Sequence, residues 1–269
     1  MIRKLNLLKI EDGLVYYTNE DNDCVLKETP HELVSRGVVR LFDCKQDRDS
    51  IYAMTSMTKL DIKWYAFLSS LYLCALLVAI PMSPHTVKIF GTFQPAGILI
   101  FPITFVILDA INATLRYEYA KTTTYFGAGL CAISSGLIAL TFYAFDIDGA
   151  YHQVFYPLIK LYLINSLCIL SADQANNMIF RALSSKLYKA PIWQRSIISS
   201  VVGQALYTII WIGLFFNTST SLTLLEKIYD NYLFKIVYAI VLIPLLYALV
   251  FTYKRIREKQ GISCKEMHV

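Results

Sequence analysis

Asp109 lies inside the run Gly97-Ile-Leu-Ile-Phe-Pro-Ile-Thr-Phe-Val-Ile-Leu-Asp109-Ala-Ile-Asn112, an apolar stretch of the kind that crosses a bilayer. An ionised carboxylate at the middle of a membrane helix costs about 2.5–3.5 kcal/mol on insertion scales, and such residues face a bundle interior or a water-filled cavity. The chemistry it offers there is to accept N–H groups from a polar solute or to carry a proton. Asn112 and Arg116 follow at i+3 and i+7, on the same helical face. Two further polar sets interrupt apolar runs: Ser171, Asp173, Gln174, Asn176 and Asn177, and then Gln204, Tyr207 and Thr208. Amides and hydroxyls in a low dielectric suit a planar, hydrogen-bonding solute, because each unpaired donor or acceptor there is costly. Phe101, Phe105, Tyr207 and Trp211 supply rings that can stack on it.

The plainer use of such groups is to join helices to one another. Ser134, Ser135 and Asn112, taken singly, are read that way, alongside the small residues Gly127, Ala128, Gly129 and Gly136. Asp109 is read as functional, so Asp109→Asn is expected to lower uptake of the solute while membrane abundance stays normal. Asp173, close to a span end, stays open between the two readings. Lys160 and Lys235 lie near the ends of apolar runs, where lysine commonly extends to the headgroups. Arg116 and Glu118 are read as interfacial.

Six helices must position these residues, each near the roughly 20 residues that a bilayer requires. They cover about 64–82, 93–115, 123–145, 154–179, 196–216 and 232–253. Trp64, Tyr65, Trp193, Tyr232 and Tyr253 sit near their ends, as interfacial aromatics do. Pro102 and Pro244 fall within spans and predict kinks or breaks. Lys and Arg gather in the 2–3 loop (Arg116, Lys121), the 4–5 loop (Arg181, Lys186, Lys189, Arg195) and the C-terminal tail (Lys254 to Lys265). The opposite loops hold little beyond Lys88, Asp146, Asp148 and Lys227. That asymmetry predicts cytoplasmic termini and places the polar sets of spans 2, 4 and 5 in one half of the membrane.

The fold class expected is an all-α membrane protein of six transmembrane helices with a small cytoplasmic β-rich appendage. Residues 1–57 form the appendage, 58–257 the helical domain and 258–269 a cytoplasmic tail. Leu14-Val-Tyr-Tyr17 and Val38-Val-Arg-Leu-Phe42 are the β-prone runs, and residues 18–23 and 43–49 read as polar turns. A unit this short rarely has a large core of its own and leans on the helices or on a partner. Met1 to Lys63 is largely polar, so no signal peptide is read and the first span serves as its own insertion signal.

Composition agrees. The chain is 56% hydrophobic over 269 residues, too apolar for a soluble domain. Its net charge of +5 is concentrated at span ends, which fits membrane orientation and gives no reason to expect nucleic-acid binding. The six cysteines show no metal-binding spacing and are read as reduced and structural. Hydrolase, zinc-protease, phosphate-loop and dinucleotide signatures are absent, so neither an enzyme nor a cofactor is expected.

Spans 2 to 6, about residues 60–255, resemble the queuosine precursor transporter family, also called the vitamin uptake transporter (VUT) family. Pro102, Asp109, Asn112 and Ala120-Lys121 match its second-helix motif, while Ala113 stands where the family has Glu and Leu115-Arg116 where it has Tyr-Gly. Trp193-Gln-Arg195 with Ser199-Ser200 resembles its approach to helix 5, in which Gln204 matches and Tyr207 replaces an Asp. Asp173, Asn176 and Phe180 resemble its helix 4, and Phe234-Lys235 with Pro244 and Tyr247 its helix 6. The resemblance implies an inner-membrane bundle similar to the substrate-binding subunits of energy-coupling-factor importers. It also implies a 7-deazaguanine substrate such as preQ0, preQ1, queuine or queuosine, with the two lost carboxylates shifting the range. The site expected is Asp109, Asn112, Phe105, Asp173, Asn176, Gln204, Tyr207 and Lys235. A homo-oligomer or an energising partner is compatible with this reading. A membrane-anchored sensing protein acting through residues 1–57 is the alternative.

Overall fold

The computed structural model describes residues 5–11, 13–19, 22–55, 57–89, 91–145, 147–186, 190–215 and 221–259. Residues 260–269 of the expected tail, with Asp146 and Lys189 of the loops, lie outside them. The chain opens with three strands, β1 (Leu5–Glu11), β2 (Leu14–Asn19) and β3 (Asn22–Glu28), paired as an antiparallel meander. Helices α1 (Pro30–Ser35) and α2 (Lys45–Ala53) close it. Thr29 and Glu32 start α1 with a capping box: Glu32 N–H donates to Thr29 Oγ1 and Thr29 N–H to Glu32 Oε2. The appendage has its own small core of Val15, Leu33, Val39, Phe42 and Ile51.

Two expectations change here. The run Val38–Phe42 is not a strand but a 3-10 turn over Val38–Leu41, entered through Gly37 at φ 71°. It buries the adjacent residues Val38 and Val39, which a two-faced strand would send to opposite sides. The polar stretch 43–49 runs into α2 rather than remaining a turn.

The helical domain follows as α3 (Lys59–Met82), α4 (Phe101–Thr114), α5 (Tyr117–Ala144), α6 (Gly149–Cys168), α7 (Gln174–Lys186), α8 (Ile192–Phe215), α9 (Ser221–Val241) and α10 (Ile243–Lys259). Among the described residues, five helical segments are long and apolar enough to cross a membrane, and the pair α9–α10, bent by 40°, makes a sixth when counted as one span. The bend falls at Leu242, next to Pro244, where a break was expected. Pro102 instead opens α4, in the first turn where proline's missing N–H has no partner to lose. A hairpin of β4 (Thr86–Ile89) and β5 (Thr92–Pro95) joins the first two spans, so the second begins at Ala96 and Phe93 stands 74% exposed on a strand. The fourth span is continuous from α6 to α7 through a π-helical turn at Ile169–Asp173.

α4 is the central helix: most of the span Ala96–Thr114 is buried, against less than half of each of the other four. It packs on α3, α5, α7, α8, α9 and α10, and for this reason the polar residues it carries meet other helices rather than lipid.

The appendage seats on one end of the bundle. His31 Nε2 donates to the Thr114 carbonyl at the end of α4, at 2.9 Å, and Arg116 donates to Thr55. Burial pushes the His31 imidazole below its ordinary range, and Arg257 adds to the effect. Burial also raises the Glu32 carboxyl. Asp61 caps α3 in a box with Thr58 and also accepts the Tyr253 hydroxyl of α10 at 2.7 Å. The start of the first span and the close of the last therefore share this end. Trp64 and Tyr253, expected at the lipid interface, are instead buried against each other with ring centroids 5.7 Å apart. Trp64 Nε1–H has a partner there in Thr114 Oγ1 at 3.2 Å, which a position among headgroups would not supply.

Candidate functional site

α4 and α8 run in opposite directions and face each other along a line of side chains. From the hairpin end, Phe101 meets Tyr207 with ring centroids 4.5 Å apart, Phe105 meets Gly203, and Asp109 meets Ser196. Gly203 is required by this approach: a Cβ there would stand 2.7 Å from the Phe105 ring and 3.1 Å from Asn176 Cβ. Phe105, Asn176 and Gly203 are thus packed together, with Gln204 the next residue on α8.

Asp109 is 0% exposed and both its oxygens are used: Oδ1 accepts Asn176 Nδ2 at 2.9 Å and Oδ2 accepts the Ser196 hydroxyl. Asn112 donates to Asn177 Oδ1 at 2.7 Å, and Asn177 in turn donates to Thr124 Oγ1 at 2.9 Å, a ladder tying α4, α7 and α5. Asp173 is equally buried, but only Oδ2 is engaged, accepting the Tyr72 hydroxyl at 2.6 Å. Gly127 makes room for that tyrosine, since a Cβ at 127 would stand 2.7 Å from its ring. The π turn ends at Asp173, and such turns, with one extra residue per turn, are common where a helix must re-aim a functional side chain.

Among the described residues, several buried polar atoms here have no partner: Asp173 Oδ1, Asn176 Oδ1, Asn112 Oδ1, and both amide atoms of Gln204. In a bundle interior each costs free energy until something binds it. The set offers several acceptors and the N–H2 donor of Gln204. Among the described residues no ion pair involves Asp109 or Asp173, and no cluster suited to a metal ion occurs.

At the hairpin end a small, partly open pocket is lined by Ser83, Gly97, Phe101, Tyr207, Trp211 and Lys235, among others. Lys235 is 4% exposed, so its reading as a lysine extended to the headgroups is corrected, whereas Lys160 is exposed as expected. α9 faces α8 at this point and turns Lys235 inward: its Nζ donates to Thr208 Oγ1 at 3.1 Å and lies 4.4 Å from the Tyr207 ring centroid. Thr208 donates to Asn231 Oδ1 at 3.4 Å, and Asn231 donates to Gln94 Oε1 of β5 at 3.0 Å. This relay ties the hairpin to the floor of the cavity. The Tyr207 hydroxyl donates to Asn165 Oδ1.

The structure thus brings Asp109, Phe105, Asn176 and Gln204 into one neighbourhood and sets Tyr207 and Lys235 a turn or more toward the hairpin. Asn112 lies at the far end, engaged with α7. Ser135 joins helices as expected, donating to the Ile159 carbonyl at 2.8 Å. Sequence reasoning missed Tyr72, Asn165 and Ser196. Asn165, an amide in the middle of an apolar span, carried a signal that could have found it. Tyr72 carried none, because an aromatic in a lipid-facing run looks the same.

A polar core inside an apolar bundle with an adjoining cavity is what a solute-handling membrane protein requires. The family described as "Putative vitamin uptake transporter" matches residues 95–249, more than half of the chain, including α4, α7, α8 and α9. The chain belongs to this family. As a vitamin uptake transporter family member it is a multi-pass membrane protein that takes up a small molecule, and its long, apolar helices agree. No curated protein and no solved structure matches the chain.

Proposed function

We propose that this transporter imports a planar nitrogen heterocycle of the 7-deazaguanine class, the precursors preQ0 and preQ1 or the base queuine. The observation that carries the reading is the set of buried, unpartnered polar atoms on Gln204, Asp173 and Asn176. A guanine-like edge presents adjacent N–H donors and a carbonyl acceptor. Asp173 Oδ1 and Asn176 Oδ1 would accept its donors, and the Gln204 amide would bridge donor and acceptor. Phe101, Phe105 and Tyr207 supply flat apolar walls. Asp109 holds Asn176 in place and sets which way its amide faces.

The appendage end is assigned to the cytoplasm of a cell whose inner membrane holds the protein, because Arg116, Lys121, Arg181 and the basic end of α10 lie there. The cavity beside the hairpin then opens toward the outside. The test is queuosine in tRNA of cells that neither make its precursors nor import them. With this chain expressed and limiting preQ0, preQ1 or queuine supplied in turn, restored queuosine is the expected result. No restoration for any of the three, with the protein present in the membrane, would overturn the substrate class.

A further inference from the structure

The appendage is a body of its own, held to the bundle by polar contacts. Among the described residues its buried apolar cluster and that of the helices have no member in common. The chain joins the two through the short connection from Ala53 to Lys59, pinned where Arg116 donates to the Thr55 carbonyl and hydroxyl. Across the seam, His31 Nε2 lies 2.9 Å from the Thr114 carbonyl and 3.4 Å from the Tyr253 hydroxyl. Glu118 of α5 stands 3.7 Å from Arg40 of the appendage and 3.8 Å from Arg181 of α7. Gly37 sits beside the same arginine, since a Cβ there would be 3.6 Å from Arg181 Cγ. Arg36, paired with Glu28, is near enough to Arg195 of α8 for the two charges to repel. Exposed ion pairs are weak, and a seam without a shared apolar core leaves two bodies free to part.

The seam stands directly beyond the site. Asp109 and Asn176 join α4 to α7, and Thr114 and Arg181 each follow five residues later, about 7.5 Å along either helix. Arg195 adjoins Ser196, the other partner of Asp109. The stretch from His31 to Arg40 therefore lies over the ends of the three helices that hold the site. We propose that the appendage is a lid. Docked, it closes this end of the bundle, and it swings away on the connection at Thr55 before a solute leaves the site toward that side. The proposal rests on the uptake function and the sidedness argued above, and it adds the step that controls release.

The experiment uses the full chain in proteoliposomes, with Cys24, Cys44, Cys74 and Cys264 replaced by serine. One variant carries Thr114→Cys, buried at the seam, and its reaction with a water-soluble maleimide is timed from the appendage side. The thiol reacts slowly in the docked protein. Adding His31→Ala and Arg40→Glu speeds it by at least about tenfold, because a hydrogen bond is lost and an ion pair becomes a repulsion. A second variant, Arg40→Cys with Glu118→Cys at two exposed positions, is bridged by a reducible bis-maleimide. The bridge is expected to cut uptake of preQ0, preQ1 or queuine by at least about tenfold, and its reduction to restore the rate, as for a lid whose opening is obligatory. Equal thiol rates in the docked and unlatched proteins overturn closure by the appendage. Full uptake with the bridge in place overturns the need for it to move. If no base enters even without the bridge, the substrate class falls, and the thiol rates still decide whether the appendage closes this end.

Discussion

Asp109 and Asp173 are the same side chain, buried to the same degree on neighbouring spans, and their surroundings treat them in opposite ways. Around Asp109 every acceptor position that matters is filled from within, by Asn176 and Ser196. Around Asp173 one oxygen is held by Tyr72 and the other meets no donor among the described residues. The cost of burying a carboxylate is thus met by structure in one region, and in the other is left for a ligand to meet. Burial cost by itself ranks the two equally; the count of partners separates them.

That contrast is breakable. The largest effect is expected from Asp109→Ala, which strands the Asn176 amide and the Ser196 hydroxyl at about 1–3 kcal/mol for each unsatisfied group. Membrane abundance and thermal midpoint both fall in a fluorescence-detected chromatography assay. Asp109→Asn keeps abundance, because its amide still accepts from Asn176 and donates to Ser196. Full abundance of the alanine variant would show that Asp109 is not a structural member.

Asp173→Asn comes next. Tyr72 keeps an acceptor, so abundance is unchanged, while uptake falls by roughly 10- to 100-fold, the equivalent of ~1.5–3 kcal/mol for a hydrogen bond to a charged group. Uptake at the wild-type rate would erase the distinction between the two aspartates. Gln204→Leu sharpens it further: removal of two unpartnered polar atoms leaves the thermal midpoint level or raised, while uptake drops by about tenfold. A lowered midpoint would mean that the amide is bonded within the resting protein.

The smallest effect concerns pH and the appendage. The folded His31 pKa lies below its ordinary 6.5, so between the two values the unfolded state binds more protons and stability falls as pH drops through that window. Glu32 acts with the opposite sign, since its raised folded pKa gives stability that is lost as pH rises through it. Hydrogen exchange across α1 at pH 7 and at about pH 5.5 should show more opening at low pH in the wild type than in His31→Gln. Identical pH responses would remove His31 from the account.

Spans and polar sets were legible in the sequence because an apolar run of bilayer length and a carboxylate within it are local signals. Asp109 and Asn176 meet across α4 and α7, and Gln204 follows Gly203, which packs against Phe105 and Asn176. Lys235 was ambiguous for a physical reason: whether a lysine one turn inside a span bends outward or inward depends on the neighbouring helix, and here Thr208 of α8 turns it in. The π turn before Asp173 has no composition of its own, and Tyr72 gained its role only through the space at Gly127. The 3-10 turn at Val38 was hidden by β-prone residues whose conformation is set by Gly37 before them. Partners of each carboxylate, unlike the carboxylates themselves, come from helices distant in sequence.

Asp61 gives the bundle a sense of completion. The hydroxyl that its second oxygen accepts belongs to a residue 192 positions later in the chain. The capping box with Thr58 closes by local contacts as soon as α3 forms, whereas the bond to Tyr253 forms only once α10 is in place, and it joins the two ends of the helical domain.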